Sequence, residues 1–306
     1  MRLYSRLHDR LFCLLMGHTT HLLTKVFILF SSQSFMLNSL KKRWSERRFN
    51  KIIKDIKDIR IQGATNVAKA GLEAYLLKPS KATINKIISL RPTEPFLFNI
   101  LNKTRIISKK ELLQYVHDSQ DKINNFTFKI IKNNSVIFTH CHSSTVINAL
   151  IYAKKNGKNF QVFSTETRPL LQGRKTAREL AKAGIKVTVV IDSVADSAIN
   201  KSDIVLFGAD AILNDYVINK VGSGMFAEIS SLKKVPLYIL SISWKYYPKS
   251  IRIEQRDFRE IWHRKLRNLH FENPAFSKIN KKYVNSIISE LGNLSYSQFL
   301  KKVKKR

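Results

Sequence analysis

The sequence predicts an α/β protein: an N-terminal helical domain followed by a Rossmann-like domain with a mostly parallel sheet. Two observations carry this expectation. Up to about residue 133 the apolar residues recur at helical spacing, and from about Asn134 short apolar runs alternate with amphipathic helices. Strands alternating with helices of that length imply right-handed βαβ crossovers, and therefore parallel pairing. A chain of 306 residues, 44% hydrophobic and 25% charged, is long enough to bury a sizeable core. The expected division is an atypical extension over 1–35, a helical domain over 36–133 and the Rossmann-like domain over 134–306.

In chain order, LFCLLMGHTTHLLTKVFILFSSQSF is apolar but interrupted by His18, His21 and Lys25. It lacks the uninterrupted apolar run of about 20 residues that a membrane span requires, and no small-residue cleavage site marks a signal peptide. Met36 opens LNSLKKRWSERRFNKIIKDIKDI like an ordinary soluble N-terminus. The expectation is a physiological start at Met36, with a weak membrane anchor as the rival. Phe49, Ile52, Ile53, Ile56 and Ile59 then define an amphipathic helix. Arg60-Ile61-Gln62-Gly63 breaks it. A second helix carries Val67, Ala70, Gly71 and Ala74, whose small side chains suit close packing, and it stops near Pro79-Ser80. A third holds Ile84, Ile87 and Ile88 and ends at Arg91-Pro92, because a residue before proline is disfavoured in the α region. Ser108-Lys109-Lys110-Glu111 is a capping box that starts a long helix through Leu112, Leu113, Val116 and Ile123.

The parallel strands are expected at SVIFTH, NFQVFST, IKVTVVID, SDIVLFGAD and VPLYILSI, joined by four helical connectors. Beyond them, Tyr246 to Leu269 is charged and partly irregular, ENPAFSKI reads as a loop, KYVNSIISE as a final strand and SYSQFLKKVKKR as a closing helix.

A formal charge of +32 ordinarily points to nucleic acid, the ribosome or an acidic membrane surface. Lysine is spread along the whole chain, however, alongside many isoleucines and asparagines, and a general compositional bias accounts for that pattern more simply. Cys13 and Cys141 form no CxxC and no zinc-ligand spacing, so neither a disulfide framework nor a zinc module is supported. A reducing, cytoplasmic setting is the expectation.

Cys141 lies where the strand SVIFT hands over to a helix capped by Ser143 or Ser144. Exposed N–H groups and the helix dipole favour phosphate there and lower a cysteine's pKa. The plainer reading is a small buried hydrophobe. Asp210 ends the strand SDIVLFGAD on the same sheet edge, where a low-dielectric setting raises a carboxyl pKa toward neutrality, so the two could form an acid–base pair. A helix-capping aspartate is the alternative. Asn219 and Lys220 offer an amide and a cation, and Arg91, held by a proline turn, can grip phosphate bidentately. His140-Cys141-His142 invites a metal reading, but adjacent residues at a strand end point alternately and cannot all face one ion. Gly222 to Ala227 fits GxGxxA, yet it follows VINKV rather than a first strand, and Tyr247 stands where an acidic residue belongs. No dinucleotide site is expected.

The ordered set RPT (Arg91 to Thr93), THCHSS (Thr139 to Ser144), TETRPLLQG (Thr165 to Gly173), GAD (Gly208 to Asp210) and INKVG (Ile218 to Gly222) resembles one superfamily. It is that of ribose 1,5-bisphosphate isomerase, methylthioribose 1-phosphate isomerase and the regulatory subunits of translation initiation factor 2B. The resemblance runs from about Ile52 to Leu300. It implies assembly through the Rossmann-like domain into homodimers or homohexamers. The isomerases carry a catalytic Cys and Asp that the eukaryotic regulatory subunits generally lack, and this chain has Cys141 and Asp210. By resemblance, Cys141 moves the proton between C2 and C1 of the sugar, Asp210 assists ring opening and proton transfer, and Arg91, Gln172, Asn219 and Lys220 hold substrate. The implied reaction converts ribose 1,5-bisphosphate into ribulose 1,5-bisphosphate in nucleotide salvage, with AMP as a candidate activator and no metal or redox cofactor. One departure stands out: the isomerases have Arg-Gly-Ala where this chain reads Gln62-Gly63-Ala64, with Arg60 the nearest cation. That loss of charge keeps open a non-catalytic, initiation-factor-like protein that binds a phosphorylated ligand and docks on initiation factor or tRNA.

Overall fold

The computed structural model describes residues 39–104 and 106–305. The expectations for residues 1–35 and for a start at Met36 fall outside them. Residues 39–57 form helix α1, in which Phe49, Ile52, Ile53 and Ile56 are buried at the expected spacing. The architecture that follows lies within the compact unit Asp55–Arg306.

Its helical part comprises α2 (Ala64–Leu77), α3 (Lys81–Leu90), α4 (Pro95–Lys103) and α5 (Lys109–Ile130). Ser80 caps α3 by accepting from the Thr83 N–H, and Ser108 with Glu111 makes the expected capping box of α5. Gly71 lets α2 approach α4, since a Cβ there would lie 2.3 Å from Leu97 Cδ1. Helix α4 is an element the sequence reading did not place. Its signals are short: Pro95 at the first turn and a buried stripe of Phe96, Leu97, Ile100 and Leu101.

From Ser135 the chain winds the sheet. Strand β1 (Ser135–Thr139) leads through α6 (Ser144–Lys155) to β2 (Phe160–Thr165), and α7 (Gln172–Lys182) leads to β3 (Lys186–Val190). Helix α8 (Ala195–Asn200) then carries the chain back to β4 (Ile204–Phe207), on the other side of β1. After a hairpin of β5 (Ala211–Ile212) and β6 (Tyr216–Lys220), helix α9 (Ser223–Leu232) leads to β7 (Leu237–Leu240). The closing elements are β8 (Phe276–Asn280), β9 (Ser286–Ser289), β10 (Gly292–Leu294) and α10 (Tyr296–Val303). Seven strands form the main sheet in the order β10-β9-β7-β4-β1-β2-β3, all parallel except β10. The five predicted parallel strands are all present.

Two expectations are corrected here. The stretch read as the loop ENPAFSKI holds all but the last residue of β8, which pairs antiparallel with β6 from Tyr216↔Asn280 to Lys220↔Phe276 and completes a separate three-stranded sheet, β5-β6-β8. Only a partner 60 residues away in sequence, at roughly that separation, makes FSKIN a strand; its own alternation is short and broken by Lys278. KYVNSIISE is not the final strand either, because β9 turns directly into the antiparallel β10.

Strand order reverses between β1 and β4, which lie side by side at the centre. In open parallel sheets the crevice beyond the carboxyl ends at such a reversal is where ligands bind. Below that crevice Phe138, Phe207 and Phe226 pack edge to face, at centroid distances of 6.1 and 5.8 Å, in a fully buried cluster. The floor of the crevice is therefore rigid and apolar. No helix among the described residues is long and apolar enough to cross a membrane.

Candidate active site

Cys141 lies two residues beyond β1 and Asp210 three beyond β4, so both fall in the crevice at the reversal. They line a cavity of about 530 Å³. The same cavity is bordered by Gln62, Gly63, Ala64, Arg91, Gln172, Asn219 and Lys220, so all nine residues singled out in the sequence converge on it. The uncapped N-terminal turn of α2 and the N-terminus of α6 both reach it. Unpaired N–H groups at helix starts favour an anion.

Cys141 is held in a left-handed conformation, φ 67°, that a residue with a Cβ adopts only under constraint. The constraint is visible: its N–H donates to Thr167 Oγ1 at 3.0 Å, and its carbonyl accepts from Thr176 Oγ1 at 2.7 Å. Gly208 also serves the site. A Cβ there would stand 2.3 Å from Ser143 Oγ, so only glycine lets the end of β4 come this close to the start of α6.

The expectation that the helix terminus lowers the thiol pKa is corrected. Burial pushes the Cys141 thiol up to about 12, and the nearby Lys220 charge is the largest influence in the other direction. Desolvation is thus the largest influence on the thiol. Asp210 follows its expected direction, raised by burial against the opposing charges of Lys245, Arg91 and Lys220.

His140 and His142 do not form a metal pair. His140 is buried, with Nε2 2.9 Å from the Val221 carbonyl and Nδ1 2.5 Å from Thr165 Oγ1. A carbonyl only accepts, so Nε2 carries the proton and Nδ1 accepts from the threonine hydroxyl. Burial holds its pKa down to about 4, so the ring is neutral. It ties the end of β1 to the entrance of α9. His142 turns to Glu179 at 3.2 Å.

The remaining cavity residues divide by charge. Six cations line it, Arg60, Arg91, Lys175, Lys220, Lys245 and Arg256, against two carboxylates, Glu94 and Asp210. That imbalance suits a polyanionic ligand. Lys245 is buried and donates to the Ala209 carbonyl at 2.6 Å. Burial drives the Lys220 pKa down, and so does its like-charged neighbour Arg256. Arg256 is itself paired with Glu254, Nη1 donating to Oε1 at 2.9 Å. Gln62 is already engaged: its amide donates to the Ile59 carbonyl at 3.1 Å and its oxygen accepts from Gln172 Nε2 at 3.3 Å. Arg60 stands on the rim, 66% exposed, with Nη1 3.8 Å from Asp55.

Glu94, Lys175, Lys245 and Arg256 were not singled out in the sequence. Glu94 directly follows the RPT motif, and Lys245 follows the last predicted parallel strand by a few residues, so proximity to a motif was a signal for both. Arg256 comes from the charged segment read as irregular and had none. Its position depends on the Gln255↔Pro274 bridge and on its N–H bond to the Asn273 carbonyl at 2.8 Å.

Comparison with known proteins agrees with this geometry. The profile of the Initiation factor 2 subunit family matches residues 81–296. A ribose 1,5-bisphosphate isomerase of Methanocaldococcus jannaschii is 33% identical over 273 residues, covering 78% of this chain and 88% of that protein. One of Archaeoglobus fulgidus is 31% identical over 270 residues, covering 78% and 86%. Among solved structures, the translation initiation factor eIF-2B of Pyrococcus horikoshii superposes with a TM-score of 0.72 at 29% identity, covering 81% of this chain and 97% of that one.

Proposed function

The chain belongs to the Initiation factor 2 subunit family, and from that premise we propose that it is an aldose–ketose isomerase converting ribose 1,5-bisphosphate into ribulose 1,5-bisphosphate. The observation that carries this reading is the presence of Cys141 and Asp210 together on one cation-rich cavity at the sheet reversal. Archaeal relatives at about 30% identity bear the name of that enzyme.

In the proposed reaction Asp210, protonated because burial raises its pKa, gives its proton to the ring oxygen as the C1–O bond breaks. Cys141, as thiolate, takes the proton from C2, and the electrons of that C–H bond form the C1=C2 bond of an enol. Asp210 then recovers a proton from the C2 hydroxyl while Cys141 returns its proton to C1, leaving a C2 ketone. Each group ends as it began. Lys220 provides the charge that favours the thiolate, and with Lys175 it holds the phosphates. Asn219 lines the cavity and is set by the bond its Nδ2 donates to Ser223 Oγ at 3.0 Å. Gln62, Gly63 and Ala64 offer the α2 terminus. The reading includes a homodimer or homohexamer, a cytoplasmic setting and AMP as an activating nucleotide.

A second reading is favoured by one observation. Gln62 brings no charge to the α2 terminus, which suits a non-catalytic, initiation-factor-like protein that senses a phosphorylated ligand and docks on initiation factor or tRNA. Ribose 1,5-bisphosphate supplied to the purified full chain, with and without AMP, separates the two. Formation of ribulose 1,5-bisphosphate is the expected result. Ligand binding without product, together with salt-sensitive binding to initiation factor or tRNA, would favour the second reading.

A further inference from the structure

Eight buried side-chain polar atoms among the described residues find no hydrogen-bond partner within the chain, and four of them belong to one turn: Arg91 Nε and Nη1, Thr93 Oγ1 and Glu94 Oε2. Buried polar groups in native proteins are nearly always satisfied, so a concentration of this kind needs an explanation. The turn joins the C-terminus of α3 to the N-terminus of α4. Arg91 is 5% exposed and Glu94 2%, and both border the cavity that holds Asp210.

The two side chains are bonded to each other, Arg91 Nη2 to Glu94 Oε1 at 2.7 Å. This pairing changes what the arginine can recognise. An unpaired guanidinium is a phosphate grip, whereas one whose Nη2 is already bound to a carboxyl oxygen cannot offer its full fork to a phosphate. The pair keeps two unused donors on Arg91 and one unused oxygen on Glu94. A hydroxyl both donates and accepts, so it is the group that completes such a set.

We propose that Arg91 and Glu94 form a fork that reads a sugar hydroxyl beside Asp210, while the phosphates lie on the other cations of the cavity. The assignment rests on the sugar-phosphate reading above and adds to it a residue, Glu94, that sets specificity by direct contact. Burial, followed by the charge of Asp210, pushes the Glu94 pKa up to about 8, so both protonation states occur near neutral pH. A hydroxyl donates to the ionised form and accepts from the protonated one, and so fits both.

The test is calorimetric binding to the full chain of four probes: ribose 5-phosphate, its 2-deoxy and 3-deoxy analogues, and inorganic phosphate. In the wild type, loss of one of the two hydroxyls is expected to weaken binding about tenfold or more, the scale of a charge-assisted hydrogen bond. In Glu94→Ala that preference falls below about twofold, while inorganic phosphate binds within about twofold of wild type. Glu94→Gln preserves the shape if the alanine variant does not fold, and its hydroxyl preference is expected at roughly threefold, since a neutral bond is about half as strong. A preference unchanged in the variants, equal weakening of all four probes, or a wild type indifferent to both hydroxyls overturns the fork and leaves the isomerase reading standing. A wild type that binds none of these sugar phosphates overturns the fork, and the isomerase reading falls with it only if ribose 1,5-bisphosphate also fails to bind.

Discussion

Lys220 determines how readily Cys141 becomes a base. The thiol titrates near 12, held up by burial and drawn down chiefly by the Lys220 charge. Proton abstraction at C2 needs the thiolate and ring opening needs protonated Asp210, so kcat/KM is expected to rise with pH until Asp210 loses its proton and to level off beyond. Lys220→Met removes the largest of the influences favouring the thiolate, which moves that rising limb to higher pH and lowers the rate at pH 7 by about tenfold or more. A pH–rate profile checks this, and an unshifted limb would show that Lys220 acts on the phosphate alone. The nine residues marked in the sequence were legible because each belongs to a short motif at a strand end or helix start. Arg256 was not, because distant neighbours place it, and Glu94 and Lys245 carried only their proximity to a motif, since burial gives them their roles in the folded chain. The thiol misled for the same reason: the helix N-terminus is visible in the sequence, whereas the desolvation that raises the thiol pKa is not.

At the scale of elements, the junctions between β1, β4, α6 and α9 hold the site in register. Gly208→Ala would press a Cβ to 2.3 Å from Ser143 Oγ, forcing β4 away from α6. Overpacking of this sort costs about 1–3 kcal/mol, so thermal unfolding should fall by several degrees, with loss of turnover as Cys141 and Asp210 separate. Ser108→Ala offers the contrast. It removes one half of the α5 capping box at an exposed site, about 1 kcal/mol, and should leave kcat unchanged. His140 gives the β1–α9 junction a pH dependence of known sign. Its pKa is about 4 when folded against 6.5 for the free ring, so the unfolded chain binds the proton first and acid draws the equilibrium toward it. Stability from this residue is complete above pH 6.5 and is lost as pH falls toward 4, by roughly 3 kcal/mol in total. Urea midpoints across that window should fall more steeply in wild type than in His140→Gln, which cannot titrate; equal slopes would assign the acid sensitivity elsewhere. The parallel strands and capped helices were readable because period and caps are local. Helix α4 and β10 were missed because they are short, and the antiparallel sheet because β6 is completed by the distant β8.

For the whole molecule, the order of strands decides where chemistry takes place. Nothing local in SVIFT or IVLF says that they become neighbours, yet the alternation of strands and helices implies a reversal somewhere, and the carboxyl ends there are the natural place for a ligand. Cys141 and Asp210, 69 positions apart at roughly that sequence distance, meet because the chain returns to the other side of β1 after three strands. The overall charge of +32 reaches the site as a cavity with six cations and two carboxylates. Binding of a bisphosphate should therefore weaken as salt rises, while the hydroxyl preference set by Arg91 and Glu94, buried and short-ranged, should persist. The most direct measurement is the steady-state conversion of ribose 1,5-bisphosphate by the full chain and by Cys141→Ser, with the dissociation constant of the sugar phosphate determined for both. Turnover in the wild type that falls by at least about a hundredfold in the variant, at nearly unchanged affinity, is the predicted result. Equal rates in the two proteins, or a wild type that binds the sugar and forms no ketose, would contradict it.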